Sequence, residues 1–169
     1  MKTYLSLVLM LASMLAYTPA RGLERGYFGF NAGTMGIDEP GNDPAANFGL
    51  TIGGIITKQG ITSLGLEAQL TTTLIEGNTS VGGRDWEIDS LGLYGALRLG
   101  AEACFKLKGG YGKWQIITDS ATTDENDFSW GLGFGLPMRS GNMLEIEYTI
   151  IGEINNRDIR YISLTYLFK

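Results

Sequence analysis

Histidine is absent from this chain. Neither a Ser-His nor an Asp-His pair can therefore be assembled, and the usual neutral-pH proton shuttle is missing. Glu145 and Glu147 have the chemistry for acid-base work, but two residues apart they share one face of an extended strand. With Glu67 they supply three carboxylates against three cations, Arg98, Lys106 and Lys108. An inward charge left unpaired is costly, so these six are expected to neutralise one another as lumenal ion pairs rather than to catalyse. No catalytic, cofactor-binding or metal-ligating residue is expected, and the chain is read as a non-enzyme.

Other motifs carry less. Gly109-Gly110-Tyr111-Gly112-Lys113 has the glycines and lysine of a phosphate loop, but Trp114 follows the lysine and position 107 is Leu, so the pattern fails and glycine within a strand explains it better. Asn78-Thr79-Ser80 fits a glycosylation acceptor by pattern alone. Cys104 is the single cysteine; it can form no internal disulfide and is expected to pack as a small apolar residue. The acids Asp38, Glu39, Asp43, Glu76, Asp119, Asp124, Glu125, Asp127, Glu153 and Asp158 fall between the apolar stretches. They read as solvated loops, with a sharper reading in which they share divalent cations with lipid phosphates or meet a cationic partner. Their spacing matches no EF-hand loop.

The elements that must position the six charges are legible from alternation. Apolar residues recur at every second position in short stretches separated by Gly, Asn, Asp, Ser and Thr. In residues 27–33, Phe28, Phe30 and Ala32 oppose Tyr27, Gly29 and Asn31; in 47–57, Phe48, Leu50 and Ile52 oppose Asn47, Gly49 and Thr51. Residues 61–74 set Leu64, Leu66 and Leu70 against Glu67 and Gln69. Residues 85–99 set Leu91, Leu93 and Leu97 against Ser90, Tyr94 and Arg98, with Trp86 and Ile88 out of phase, so a bulge near Asp89 is expected. Residues 105–118 set Phe105, Leu107 and Tyr111 against Lys106 and Lys108, with a slip expected near Gly112, since Lys113 would otherwise face lipid. The cleanest stretch, 128–136, alternates Phe128, Trp130, Leu132, Phe134 and Leu136 with Ser129, Gly131, Gly133 and Gly135. Two more follow: Leu144, Ile146, Tyr148 and Ile150 against Glu145, Glu147 and Thr149, then Ile162, Leu164, Tyr166 and Phe168 against Ser163 and Thr165.

Eight such stretches in about 145 residues are expected to leave no room for a second domain. Mean hydropathy of +0.03 is too polar for a helical membrane bundle, and a net charge of -5 with no basic patch disfavours nucleic acid. Lys2, the apolar run 4–17 and Thr18-Pro19-Ala20 read as an export signal over residues 1–20, cut after Ala20, with the barrel domain over 21–169. The polar faces are mostly small, with isolated mid-strand charges. That suits a narrow eight-strand lumen rather than the charged exterior of a soluble protein. Long polar connections at 34–46, 75–84, 119–127 and 152–158 alternate with shorter ones at Lys58, Gly100 and Pro137, as expected for outer loops and inner turns. Aromatics near strand ends, Tyr27, Phe28, Phe105, Tyr111, Phe128, Trp130, Tyr166 and Phe168, suggest two interfacial girdles.

On Gly26-Tyr27-Phe28-Gly29-Phe30, Ser90-Leu91-Gly92-Leu93-Tyr94-Gly95, the glycine-rich 128–136 strand and Ser163-Leu164-Thr165-Tyr166-Leu167-Phe168, the chain resembles the outer membrane β-barrel (porin-like) superfamily, similar to the barrels of outer membrane proteins A and X. The resemblance implies an all-β fold, an eight-stranded antiparallel transmembrane up-and-down barrel in the outer membrane of a Gram-negative cell. It also implies that Tyr166 and Phe168 form the C-terminal assembly signal, from which Lys169 departs by one extra residue. Some relatives of that kind are lipid A deacylases, palmitoyltransferases or proteases. The expected role is structural or surface-interacting in the cell envelope, with a narrow porin-like channel and a soluble exported lipocalin-like barrel as alternatives. The expected partners are outer-membrane lipid and lipopolysaccharide, the barrel assembly machinery and an extracellular partner at the acidic loops; the chain is expected to be a monomer with no cofactor. A salt-bridged plug at the periplasmic end is expected, such that removing Glu145 and Glu147 together raises conductance.

Overall fold

Alternation of large apolar and small polar residues favours strands whose two faces meet different surroundings, and such strands fill the molecule. The computed structural model describes residues 25–38, 41–79, 84–118, 121–154 and 156–168. The expected export signal at residues 1–20, together with Glu39, Ser80, Asp119 and Lys169, lies outside the described residues. The strands are β1 (Arg25–Ile37), β2 (Asn42–Asp43), β3 (Ala45–Gln59), β4 (Thr62–Ile75), β5 (Gly77–Thr79), β6 (Arg84–Leu99), β7 (Cys104–Thr118), β8 (Thr122–Pro137), β9 (Met143–Ile154) and β10 (Arg157–Phe168). Eight of these are long; β2 and β5 are a short ribbon pairing Asn42 with Thr79 at one rim. Every long strand pairs antiparallel with its neighbours in the chain, and β1 pairs β10 from Phe28↔Phe168 to Ile37↔Ile159. That last pairing closes an eight-stranded antiparallel barrel, which removes the sheet edges an open sheet would expose.

The two faces segregate sharply. Leu66 and Leu93 are each 58% exposed on the outer wall, while Glu145, Thr149 and Thr165 inside are at 0%. A continuous apolar exterior around a polar interior is the reverse of a soluble barrel and fits a lipid surround. The terminal end of the barrel, where β1 begins and β10 ends, is joined by short turns at 60–61, 100–103 and 138–142. At Gly100 a side chain is barred twice over: its φ is 131°, and a Cβ there would lie 1.9 Å from the Ala103 carbonyl oxygen.

Several expectations change at the far end. The anticipated bulge near Asp89 is not there: β6 pairs β7 without a shift from Trp86↔Thr118 to Leu99↔Phe105. The even-numbered residues of β6 from Trp86 to Arg98 all turn inward, Ile88 included. The irregularity lies on β4 instead, where the Thr73 side chain takes over the ladder: Ile88 N donates to Thr73 Oγ1 at 2.8 Å, and Thr73 Oγ1 donates to the Ile88 carbonyl at 3.0 Å. The slip anticipated at Gly112 is also absent, because β7 keeps one phase to Thr118. Lys113 does face outward, but above the apolar band, where its Nζ lies 3.5 Å from Asp124. Bulges do occur in the β3–β4 pair, on β4 at Leu74 opposite Ala46/Asn47 and on β3 at Ile56, and in the β9–β10 pair at Ile159/Arg160.

The segments expected as long loops are largely strand. β7 and β8 rise to Thr118 and Thr122, closing where Thr118 N donates to the Ala121 carbonyl at 2.9 Å. The two ends of the barrel thus differ in how far strands project, more than in loop length. Tyr27, counted with the outer aromatics, points into the lumen at 5% exposure.

Candidate functional site

β8 decides what the lumen can hold. Its inward residues are Ser129, Gly131, Gly133 and Gly135, flanked by Lys106 and Lys108 of β7 and by Glu145 and Glu147 of β9. A Cβ at Gly133 would lie 3.0 Å from Glu147 Cγ, and one at Gly131 would lie 3.0 Å from Lys108 Cε. The glycine stripe is the space into which four long charged side chains lean. Gly53 does the same for Tyr27, whose ring a Cβ would meet at 2.5 Å.

The structure brings all six sequence-selected charges together. Lys106 Nζ lies 2.6 Å from Glu67 Oε2, 2.9 Å from Glu145 Oε2 and 3.0 Å from Glu147 Oε1. Lys108 Nζ is 2.8 Å from Glu147 Oε2. Arg98 donates through Nε to Glu145 Oε1 at 2.7 Å and pairs with Glu67. Glu67 comes from β4 and reaches across the lumen from the β9 acids. Three carboxylates meet three cations, so the cluster is neutral, and each group has at least one opposite charge in contact, the condition for keeping ions buried.

Three polar residues outside the six sequence-selected charges complete the network. Tyr27 donates to Glu67 Oε1 at 2.6 Å and accepts from Arg98 Nη1 at 3.0 Å. Gln69 Oε1 accepts from Lys108 at 2.8 Å, and the Lys108 ammonium lies 4.6 Å from the centre of the Tyr94 ring. Their inward parity, shared with Glu67 and Arg98, was the available signal.

Above this layer lies a polar one, in which Tyr161 donates to Asn31 Oδ1 at 2.7 Å and Thr71 and Ser90 share a hydrogen bond of 2.7 Å. The far mouth is then filled by Met35, Trp86, Ile88, Trp114, Ile116, Ile151 and Ile159, a packed apolar cluster. The terminal mouth carries a smaller one of Tyr27, Cys104, Met143 and Leu167. Cys104 sits there buried, its Sγ 3.9 Å from Met143 Sδ. Side chains therefore occupy the lumen in layers, ions toward the terminal end and indoles at the far end.

The remaining sequence-selected residues lie elsewhere. Phe168 stacks on Phe28 across the closing β1–β10 seam, centroids 4.8 Å apart, and Tyr166 OH accepts from Asn142 Nδ2 at 2.7 Å. Gly109 to Lys113 form mid-strand β7, with no loop to cradle a phosphate. Of the acids, Asp124, Glu125 and Asp127 are on β8, Glu153 on β9 and Asp158 on β10, while Asp38 pairs with Arg160. Glu76 and Glu87 crowd one another above the apolar band, and partial desolvation followed by the Glu76 charge raises the Glu87 carboxyl above its usual value. No group of acids among the described residues is arranged to hold a metal ion.

A family model described as "Outer membrane protein beta-barrel domain" matches residues 5–166. No curated protein sequence matches the chain. Among solved structures, Neisserial surface protein A superposes with a TM-score of 0.56 at 12% identity, covering 85% of this chain and 96% of that one. The attachment invasion locus protein Ail of Yersinia pestis gives 0.53 at 12% identity, with 85% and 96% covered. The outer membrane enzyme PagL gives 0.52 at 14% identity, with 86% and 99% covered. At such identities the likeness is one of fold.

Proposed function

This chain belongs to the outer membrane protein β-barrel family, and from that premise we propose that it is an integral outer-membrane barrel that acts as a rigid, closed post carrying a surface for contact, rather than as a pore. The observation that carries this reading is the filling of the lumen by side chains, a neutral six-charge network at one level and an apolar indole cluster at the other. An ion crossing it would have to displace both. The apolar outer wall speaks against a soluble lipocalin-like barrel, and the absence of histidine speaks against an enzyme, PagL's shared fold notwithstanding.

In this reading residues 1–20 direct export and are removed, and the termini face the periplasm. The far rim, with Asp38, Asp124 and Glu125, then faces outward beside lipopolysaccharide. Tyr166 and Phe168 are what the assembly machinery reads.

The test is conductance in planar bilayers of protein shown to be folded by its heat-dependent gel mobility. Folded wild-type protein gives no steady current. Removing Glu145 and Glu147 together leaves the indole seal in place, so the charge change alone, expected from sequence to raise conductance, raises it only when Trp114→Ala is added. Steady current through the unaltered, folded protein would overturn the closed post and establish the narrow channel.

A further inference from the structure

Two sulfurs meet at the terminal mouth. Cys104 opens β7 and Met143 opens β9, on either side of β8, and the register sets Cys104 beside Gly135. Gly135 puts no side chain between them. A Cβ there would lie 2.7 Å from Cys104 Sγ, 2.9 Å from Met143 Sδ and 3.3 Å from Glu145 Cγ, so the glycine lets the two sulfurs approach to 3.9 Å. Both residues are buried, at 5% and 6% exposure, and Tyr27, Leu167 and Ile55 pack around them. A thiol by itself would be the ordinary packing expected from the sequence. The thioether converging on it makes a pair of soft donors, which only the fold brings together across 39 residues of chain.

We propose that Cys104 and Met143 together bind one soft monovalent cation, Cu(I) or Ag(I), which enters by the terminal mouth. The inference goes beyond the closed post and does not depend on it. Thiolate and thioether ligands select soft metals over hard ones. On binding, the Cys104 S–H bond breaks, its proton goes to solvent and the sulfur electron pair bonds the metal. Thiolate and monovalent cation then sum to zero charge, which an apolar surround tolerates. A divalent ion would leave a net charge there, and harder ligands are not on offer to it. Histidine is absent from the chain, and Glu145 already holds Arg98 through Oε1 and Lys106 through Oε2. With sulfur–metal bonds of about 2.3 Å, a sulfur separation of 3.9 Å gives an angle of roughly 115° at the metal, suited to three donors with the third supplied by solvent.

The experiment uses the detergent-folded barrel, its folding shown by heat-dependent gel mobility, and Cu(I) kept reduced with ascorbate without air. Competition with bicinchoninate reads the affinity. Folded wild-type protein is expected to take one equivalent of Cu(I) from the chelator, Ag(I) to displace it and Zn(II) to leave it in place. Met143→Leu keeps the volume of the side chain and should weaken Cu(I) at least ~10-fold, since loss of a ligand costs no less than loss of a residue behind one; Cys104→Ser should abolish binding. X-ray absorption at the copper edge needs no variant. Two sulfur neighbours are expected in the folded wild-type protein. A single sulfur neighbour, or a Met143→Leu affinity equal to wild type, would reduce the site to a lone thiol and overturn the pair. No uptake by the wild type, or equal affinity in folded and boiled protein, would overturn a site built by the fold.

Discussion

At the scale of single residues, the lumenal charges are worth more as a set than singly. Glu145 touches both Arg98 and Lys106, so Glu145→Ala leaves two buried cations short of a partner. Breaking a buried pair from one side costs about 3–5 kcal/mol, and denaturant unfolding of the detergent-folded barrel, followed by tryptophan fluorescence, should lose that amount. Replacing Glu147 and Lys108 together by apolar residues of similar volume should cost much less. A smaller effect belongs to Glu87 on the rim, whose carboxyl is held above its usual value. The folded state there favours the protonated form, so the contribution is present at low pH and is lost as pH rises through the carboxylate range. Hydrogen exchange at the β5–β6 edge, corrected for its intrinsic pH dependence, should therefore slow on acidification, and Glu87→Gln should flatten that response.

At the scale of elements, two devices make the charges fit. The β8 glycines give up side chains so that neighbouring strands can fill the lumen. Gly133→Val would press into Glu147 and Lys106 at once, and overpacking of this kind costs about 1–3 kcal/mol; chemical denaturation measures it. On β4, Thr73 substitutes its hydroxyl for a ladder partner of Ile88. Thr73→Val should speed exchange of the Ile88 amide, consistent with loss of hydrogen bonds worth about 0.5–1.5 kcal/mol each, with no change near Leu97.

At the scale of the whole molecule, closure joins the first long strand to the last. Phe168 serves that seam by stacking on Phe28, and it is also the residue proposed for recognition during assembly. The two roles separate by experiment. Phe168→Ala should lower the amount of heat-modifiable protein in outer membranes more than it slows refolding of purified protein into detergent. An equal loss in both would leave only the packing role.

Strand count, facing and the six lumenal charges could be read from the sequence, because a barrel wall in lipid imposes a period of two on every strand and penalises each unpaired inward ion. Near the far mouth, residue size argues against that period. Trp86, Ile88, Trp114 and Ile116 keep strict parity with Arg98 and Lys106, yet their size suggested lipid and hence bulges that do not exist. Only the closed tertiary structure assigns them inward, because above the membrane band water lies outside, and burying indoles in the mouth removes them from it. Which cation meets which carboxylate, and where β9 abandons β8, likewise depend on the barrel's curvature and on contacts between residues far apart in the chain. No local pattern encodes those distances.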